Sequence, residues 1–141
     1  MIGPGKAFDT DRFYVVSSNL LGGCQGTTGP GSTNAETGRP FGADFPVITV
    51  GDMVRVQRSM LDALGIPRLA AVAGGSLGGM QALEWAVRYP EDVDAIIPIA
   101  STHALAPQGV ARNAIARNAI ASDPAWQGGH YNGAGQHPDD C

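Results

Sequence analysis

The chain has 141 residues, 43% of them hydrophobic and 16% charged, with a formal net charge of −4 at pH 7. A chain of this size buries about two thirds of the surface its unfolded form exposes, and its acidic balance offers no basic field for nucleic acid or an anionic membrane. No apolar run approaches the roughly 18 residues of a membrane span, and the two cysteines, Cys24 and Cys141, lack the spacing of a disulfide framework or a zinc site.

A reducing cytoplasm is the expected compartment, because Met1-Ile2-Gly3-Pro4-Gly5-Lys6 has neither the apolar core of a signal peptide nor a lipidation pattern. After a turn-rich opening, Arg12-Phe13-Tyr14-Val15-Val16-Ser17 has the aromatic and β-branched content of a strand. The stretch from Asn19 to Phe45 holds Gly22-Gly23-Cys24-Gln25-Gly26-Thr27-Thr28-Gly29-Pro30 and is too glycine-rich and aperiodic for a regular element. Loops of that length in compact domains are usually functional or disordered. Gly5-Lys6 suggests a phosphate loop, but Ala7 stands where Ser or Thr is required and no strand precedes it, so that reading is discarded.

Thr49-Val50-Gly51-Asp52 has the pattern of a capping box and predicts a helix start. Its apolar stripe is read as Met53, Val56, Met60, Leu61 and Leu64, with Arg55 and Arg58 facing out and Gly65 and Pro67 ending the helix. The methionines read as core filler. Leu69-Ala70-Ala71-Val72-Ala73 is a buried-strand run, and Leu77 to Arg88 keeps helical period through Met80, Leu83, Ala86 and Val87 until Pro90. Val93 to Ala100 is a second buried-strand run, and Gln108 to Ala121 an alanine-rich helix with Val110, Ile115 and Ile120. From Ser122 onward the sequence reads as a tail with no buried element. The alternation predicts an α/β fold with a mainly parallel sheet and right-handed crossovers.

Between the first buried strand and its helix lies Gly74-Gly75-Ser76-Leu77-Gly78-Gly79. Gly-x-Ser-x-Gly in that position is the pattern of a nucleophile elbow. A serine forced into so sharp a turn occupies a sparsely populated backbone region, and Gly74 and Gly78 are expected to supply the space that lets the two arms approach. Ser76 is then the candidate nucleophile, and the Leu77 amide, free at the helix start, the candidate oxyanion donor. A glycine-rich turn that binds phosphate or merely packs tightly is the competing reading; the placement between strand and helix favours the nucleophile. Ser101-Thr102-His103 leaves the next strand on the same rim, where open α/β sheets bind ligands.

In these residues the chain resembles the homoserine O-acetyltransferase family, an α/β-hydrolase-fold group. The resemblance is carried by Gly3-Pro4-Gly5-Lys6-Ala7-Phe8-Asp9-Thr10, by Ser18 to Pro30, by Asp44-Phe45-Pro46-Val47-Ile48-Thr49-Val50, and by Gly74 to Trp85 with its Gly79-Met80-Gln81. Asp123-Pro124-Ala125-Trp126-Gln127-Gly128-Gly129-His130-Tyr131 is also similar to the family's lid entry. The resemblance implies that acetyl-CoA, as co-substrate, acylates Ser76 and that the hydroxyl of L-homoserine then accepts the acetyl group, a step of methionine biosynthesis. It implies no bound cofactor and no metal. It also places Gly22, Gly23 and Cys24 beside the substrate and makes the full-length parent a homodimer through its lid.

Where the sequence departs from the family, the triad Asp and His and the second oxyanion amide belong to regions that this stretch does not contain. The expectation is therefore a fragment, with residues 1–106 the central part of an α/β-hydrolase core and 107–141 the start of a helical lid and an irregular tail, inactive by itself. His103, oriented by Asp123, Asp139 or Asp140, is a weaker candidate base than a downstream histidine, and His130 and His137 are weaker still. Cys24 has nothing nearby to lower its pKa and is not read as a nucleophile. Trp85 and Trp126 read as packing residues. The rival functions are a homoserine or serine O-succinyltransferase or acetyltransferase of the same family, a generic esterase, and a non-catalytic fragment.

Overall fold

The computed structural model describes residues 1–130. Its ordered centre is a helix, a strand, a second helix and a second strand, followed by a third helix. The first helix, α1 (Val50–Ala63), opens on the capping box: Thr49 Oγ1 accepts from the Asp52 amide at 3.1 Å, and the Thr49 amide donates to Asp52 Oδ2 at 2.8 Å. The Asp52 carboxyl is held below its ordinary pKa by the hydrogen bonds from the Thr49 hydroxyl and amide, with a smaller contribution from Arg55.

Glycine closes the same helix. Gly65 adopts φ +70°, and the Gly65 and Ile66 amides donate back to Asp62 O (3.0 Å) and Leu61 O (2.9 Å). That is the Schellman arrangement, and Ile66 packs on the cluster that holds Leu61.

Strand β1 (Val72–Gly75) pairs in parallel with β2 (Ile96–Ile99), in the register Val72↔Ile96 to Gly75↔Ile99. The crossover between them is helix α2 (Leu77–Arg88), which packs on both strands and on α1. The core is small: Val54, Leu61 and Trp85, ringed by Val16, Met60, Ile66, Leu69, Val72 and Tyr89. Trp85, as expected, is a packing residue, with its ring 5.2 Å from that of Tyr89.

Several expected details differ. Residues 12–17 join no ladder among the described residues, and Tyr14 is exposed, although Val16 reaches the core. Composition alone makes no strand where no neighbour accepts its hydrogen bonds. The two strands that do form are not buried: Ile97 and Ile99 are about half exposed, and Pro98 between them is exposed as well.

On α1 the buried line is Gly51, Val54 and Leu61, whereas Val56 and Leu64 are exposed. On α2 it is Gly79, Gln81, Ala82 and Trp85, and Val87 points to solvent. In both helices the apolar residues admit more than one face at helical spacing, and the docking partner selects it. Arg58 does not face out either. Its side chain is only 11% exposed and donates to Asp62 (2.5 Å), Ile66 O (2.9 Å) and Pro67 O (3.3 Å), tying the helix exit to the turn that follows. The hydrogen bond to Asp62 raises its pKa first.

Helix α3 (Pro107–Ser122) forms where the alanine-rich run predicts it but buries no residue. Beyond it the expected irregular tail contains a 3-10 turn over Pro124–Gly129 with Gly129 buried. That turn lies against a second 3-10 turn, Gly42–Asp44: a Cβ on Gly42 would stand 2.7 Å from Gly129 O. The rest of the loop from Asn19 to Phe45 is held by its own backbone, with Gly42 N donating to Pro30 O (2.8 Å) and Phe41 N to Ser32 O (3.0 Å).

Candidate active site

Ser76 stands at the junction of β1 and α2 with φ +53° and ψ −116°, a conformation that L-residues rarely adopt. Its backbone is bonded on both sides. The Ser76 amide donates to Ile99 O at 2.9 Å, and its carbonyl accepts from the amides of Gly79 (3.0 Å) and Met80 (3.2 Å) and from Ser101 Oγ (2.8 Å). The Ser76 side chain makes no capping bond to the helix it precedes, and the residue is exposed. The hydroxyl is thus presented outward while the main chain is fixed, which is the arrangement an attacking oxygen needs.

Leu77 is the first residue of α2, and its amide is one of the first-turn donors that helical geometry leaves without an intrahelical acceptor. The helix dipole adds positive potential there. The glycine requirement is partly as expected. A Cβ on Gly74 would lie 2.3 Å from the Gly78 carbonyl carbon and oxygen, so β1 and α2 approach this closely only with glycine at 74. A Cβ on Gly78 would meet nothing within 4 Å. The second demanding position is Gly79, where a Cβ would stand 2.4 Å from Ser101 Cβ. Sequence spacing points to the symmetric pair around the serine, but the contact that excludes a side chain is made by the helix residue facing the end of β2.

Beneath the elbow lies a polar chain that periodicity does not reveal. The Trp85 indole donates to Gln57 Oε1 (2.8 Å), Gln57 Nε2 donates to Gln81 Oε1 (2.6 Å), and Gln81 Nε2 donates to Leu77 O (3.3 Å). Gln81 is buried, and its amide links α1 to the first turn of α2. The only hint in the sequence is a glutamine on each helix at positions that interrupt an apolar face.

The other candidates are placed as follows. Gly22 adopts φ +84° with its amide on Thr28 O (2.9 Å), and the Gly23 amide donates to Leu20 O (2.9 Å). Gly29 fits beneath them, since a Cβ there would lie 2.3 Å from Gly23 O. A Cβ on Gly22 would meet Ile48 and Phe45, and one on Gly23 would meet Leu20 and Thr27; none of these belongs to the elbow. Cys24 is free and exposed.

His103 lines a cavity of about 270 Å³ with Val50, Met80, Leu83, Glu84, Val87 and Thr102; Ser76 is not among the lining residues. No hydrogen bond joins His103 to Ser76 among the described residues. Asp123 accepts from the Ala125 amide at 2.8 Å, and His130 lies against Gly42. His137, Asp139 and Asp140 lie outside the described residues. Among the described residues no helix is long and apolar enough to cross a membrane.

Comparison with known proteins follows the same lines. The family described as alpha/beta hydrolase fold matches residues 2–139. A homoserine O-acetyltransferase of Methanosphaerula palustris is 57% identical over 98% of this chain and 28% of its own length. One of Symbiobacterium thermophilum is 59% identical over 94% of this chain and 34% of its own. A homoserine O-succinyltransferase of Stutzerimonas stutzeri is 60% identical, with 97% and 36% covered. The chain thus spans about a third of the length of the curated relatives it matches. Among solved structures, a homoserine O-acetyltransferase from Bacillus anthracis superposes with TM-score 0.86 at 41% identity, covering 97% of this chain and 38% of that one. The esterase E22 superposes with TM-score 0.85 at 43% identity, covering 92% and 37%.

Proposed function

This chain belongs to the alpha/beta hydrolase fold family, and from that premise we propose that it carries the nucleophile of a homoserine O-acyltransferase, which moves an acetyl group from acetyl-CoA to the hydroxyl of L-homoserine. The observation that supports this most is Ser76 itself, held at φ +53° between β1 and α2 in a chain that is 57% identical over 138 residues to a homoserine O-acetyltransferase.

In this reading Ser76 Oγ attacks the thioester carbonyl and gives its proton to a base, and the Leu77 amide bonds the resulting oxyanion. The carbon–sulfur bond breaks and CoA leaves as its thiol. The homoserine hydroxyl then attacks the acetyl-serine ester, losing its proton to the same base, and Ser76 is regenerated as O-acetylhomoserine departs. The base is assigned, as the resemblance implies, to a histidine outside residues 1–130; among the described residues no hydrogen bond joins His103 to Ser76. The loop Gly22-Gly23-Cys24 is assigned to the substrate side of the site, with a supporting backbone held by Thr28 and Gly29. The reaction would supply methionine biosynthesis in the cytoplasm, and the acyltransferase would work as a homodimer with residues 107–141 leading into its lid.

Two observations favour second readings. The succinyltransferase relative is as similar to this chain as the acetyltransferases are, so succinyl-CoA is the rival donor. The likeness to an esterase makes water the rival acceptor. Intact-mass analysis after incubation with acetyl-CoA or succinyl-CoA, with Ser76→Ala as control, tests the proposal. An ester on Ser76 that homoserine discharges faster than water supports it; an ester discharged equally fast without homoserine refutes it in favour of a hydrolase. If no ester forms in a folded sample, Ser76 is not activated within this chain, the outcome expected when the base lies outside it.

A further inference from the structure

We infer that Ile99-Ala100-Ser101, at the end of β2, is a clamp that holds the nucleophile in its strained conformation, with Ser101 as the positioning residue. The three residues straddle Ser76. Ile99 O accepts from the Ser76 amide at 2.9 Å, and Ser101 Oγ donates to the Ser76 carbonyl at 2.8 Å. Both polar groups of the Ser76 main chain are therefore bonded to the same short segment of the neighbouring strand.

Reaching both groups requires the strand to break its extended course between them. Ala100 does so at φ +48°, one of three non-glycine residues with positive φ among those described, and Ser76 is another. A strained alanine directly opposite a strained serine is a costly pairing, and such conformations persist where surrounding contacts over-determine them. The fit on the other side is equally tight: Ser101 Cβ would be 2.4 Å and its Oγ 2.7 Å from a Cβ at Gly79, so the glycine after the elbow is the seat that lets Ser101 come close. Gly79, in turn, donates its amide to the same Ser76 carbonyl. Ser101 touches no reacting atom in this arrangement. It acts on the main chain that aims Ser76 Oγ and the Leu77 amide, and only this consequence for catalysis rests on the reading of Ser76 as nucleophile.

Hydrogen exchange read residue by residue by NMR tests the clamp in the whole 141-residue chain without requiring turnover. In Ser101→Ala, the amides of Ser76, Gly79 and Met80 are expected to exchange about fivefold faster, the effect of losing one ordinary hydrogen bond. The amides of Ile66 and Leu69, bonded to Leu61 O and Asp92 O, stay within twofold of the parent. Gly79→Ala, which pushes Ser101 away, is expected to accelerate Ser76 and Met80 similarly, and the double variant adds less than the sum. Unchanged exchange at the elbow overturns the inference. So does uniform acceleration across the chain, which marks a merely structural residue. Acetylation of Ser76, followed separately by mass, reports on the nucleophile, so its failure and the failure of the clamp are distinguishable.

Discussion

Gly74 and Gly78 occupy equivalent places in the Gly-x-Ser-x-Gly pattern, yet substituting alanine at each is expected to have opposite results. At Gly74 the new Cβ would lie 2.3 Å from two Gly78 backbone atoms and 2.7 Å from Gly78 Cα. Ordinary contact lies a full ångström farther out, and the obstacle is main chain, which no rotamer change relieves. Strand β1 and the first turn of α2 must separate by about 1 Å, and overpacking of this kind costs about 1–3 kcal/mol. For a chain of this length that is a fall in Tm of about 4–10 °C. At Gly78 a Cβ meets nothing within 4 Å, so alanine is accommodated and gains helix propensity of up to about 1 kcal/mol. Thermal melts of Gly74→Ala and Gly78→Ala followed by far-ultraviolet circular dichroism check both, and an ångström of misalignment at the elbow should also slow any acetylation of Ser76 by about 10²-fold in the first variant only. If Gly74→Ala melts within 1 °C of the parent, or if Gly78→Ala is the more damaging, the close approach of β1 to α2 is wrong.

Gln57→Leu leaves the buried Trp85 indole N–H without its acceptor and Gln81 Oε1 without its donor. At about 1–3 kcal/mol for each of the two orphaned groups, urea denaturation should show a loss of about 2–6 kcal/mol, of which Trp85→Phe on the same background restores part; a loss below about 0.5 kcal/mol removes the polar chain from the account. Ser76→Gly abolishes any acyl-serine but frees the φ +53° position from its side-chain strain, so its Tm is expected to rise, with the gain of about 1–3 kcal/mol partly offset by glycine entropy. The depressed Asp52 pKa gives a signed pH dependence: the capping carboxylate contributes stability above its unfolded pKa near 4, and that contribution is lost as pH falls through its lower folded value. Melts of the parent and Asp52→Ala should therefore differ at neutral pH and converge in strong acid; a constant gap across the series would refute the assignment.

What the sequence carried clearly was whatever local rules decide. The capping box at Thr49 and Asp52, the Schellman turn at Gly65, the extent of α2 and the strand-to-helix position of Ser76 each depend on a few neighbouring residues, and each stands where its pattern placed it. What it carried poorly was orientation. Both α1 and α2 have enough apolar residues to draw two stripes, and Val54, not Val56, faces the core because α2 docks there. Arg58 read as solvated because arginine usually is, whereas three carbonyl and carboxylate acceptors at the exit of its own helix draw it in. The segment from Arg12 to Ser17 has strand composition, but pairing is a property of two segments and only one was visible.

The site divides along the same line. The elbow is a pattern of adjacent residues, so the serine and its following amide are readable from five letters. The forces that keep the elbow bent are not adjacent. Ser76 is strained by an amount on the order of 1–3 kcal/mol, and the bonds that offset it come from Ile99 and Ser101, 23 and 25 positions along the chain, across the parallel register of β1 with β2. A turn of this conformation has no reason to persist in a peptide that carries only the motif, because the same residues relax once those acceptors and donors are gone. The strained serine turn is thus a product of the whole strand, helix and strand unit. That is why the second glycine demanded by packing, besides Gly74, is Gly79, which seats the serine after the second strand, and not the Gly78 that the pattern names.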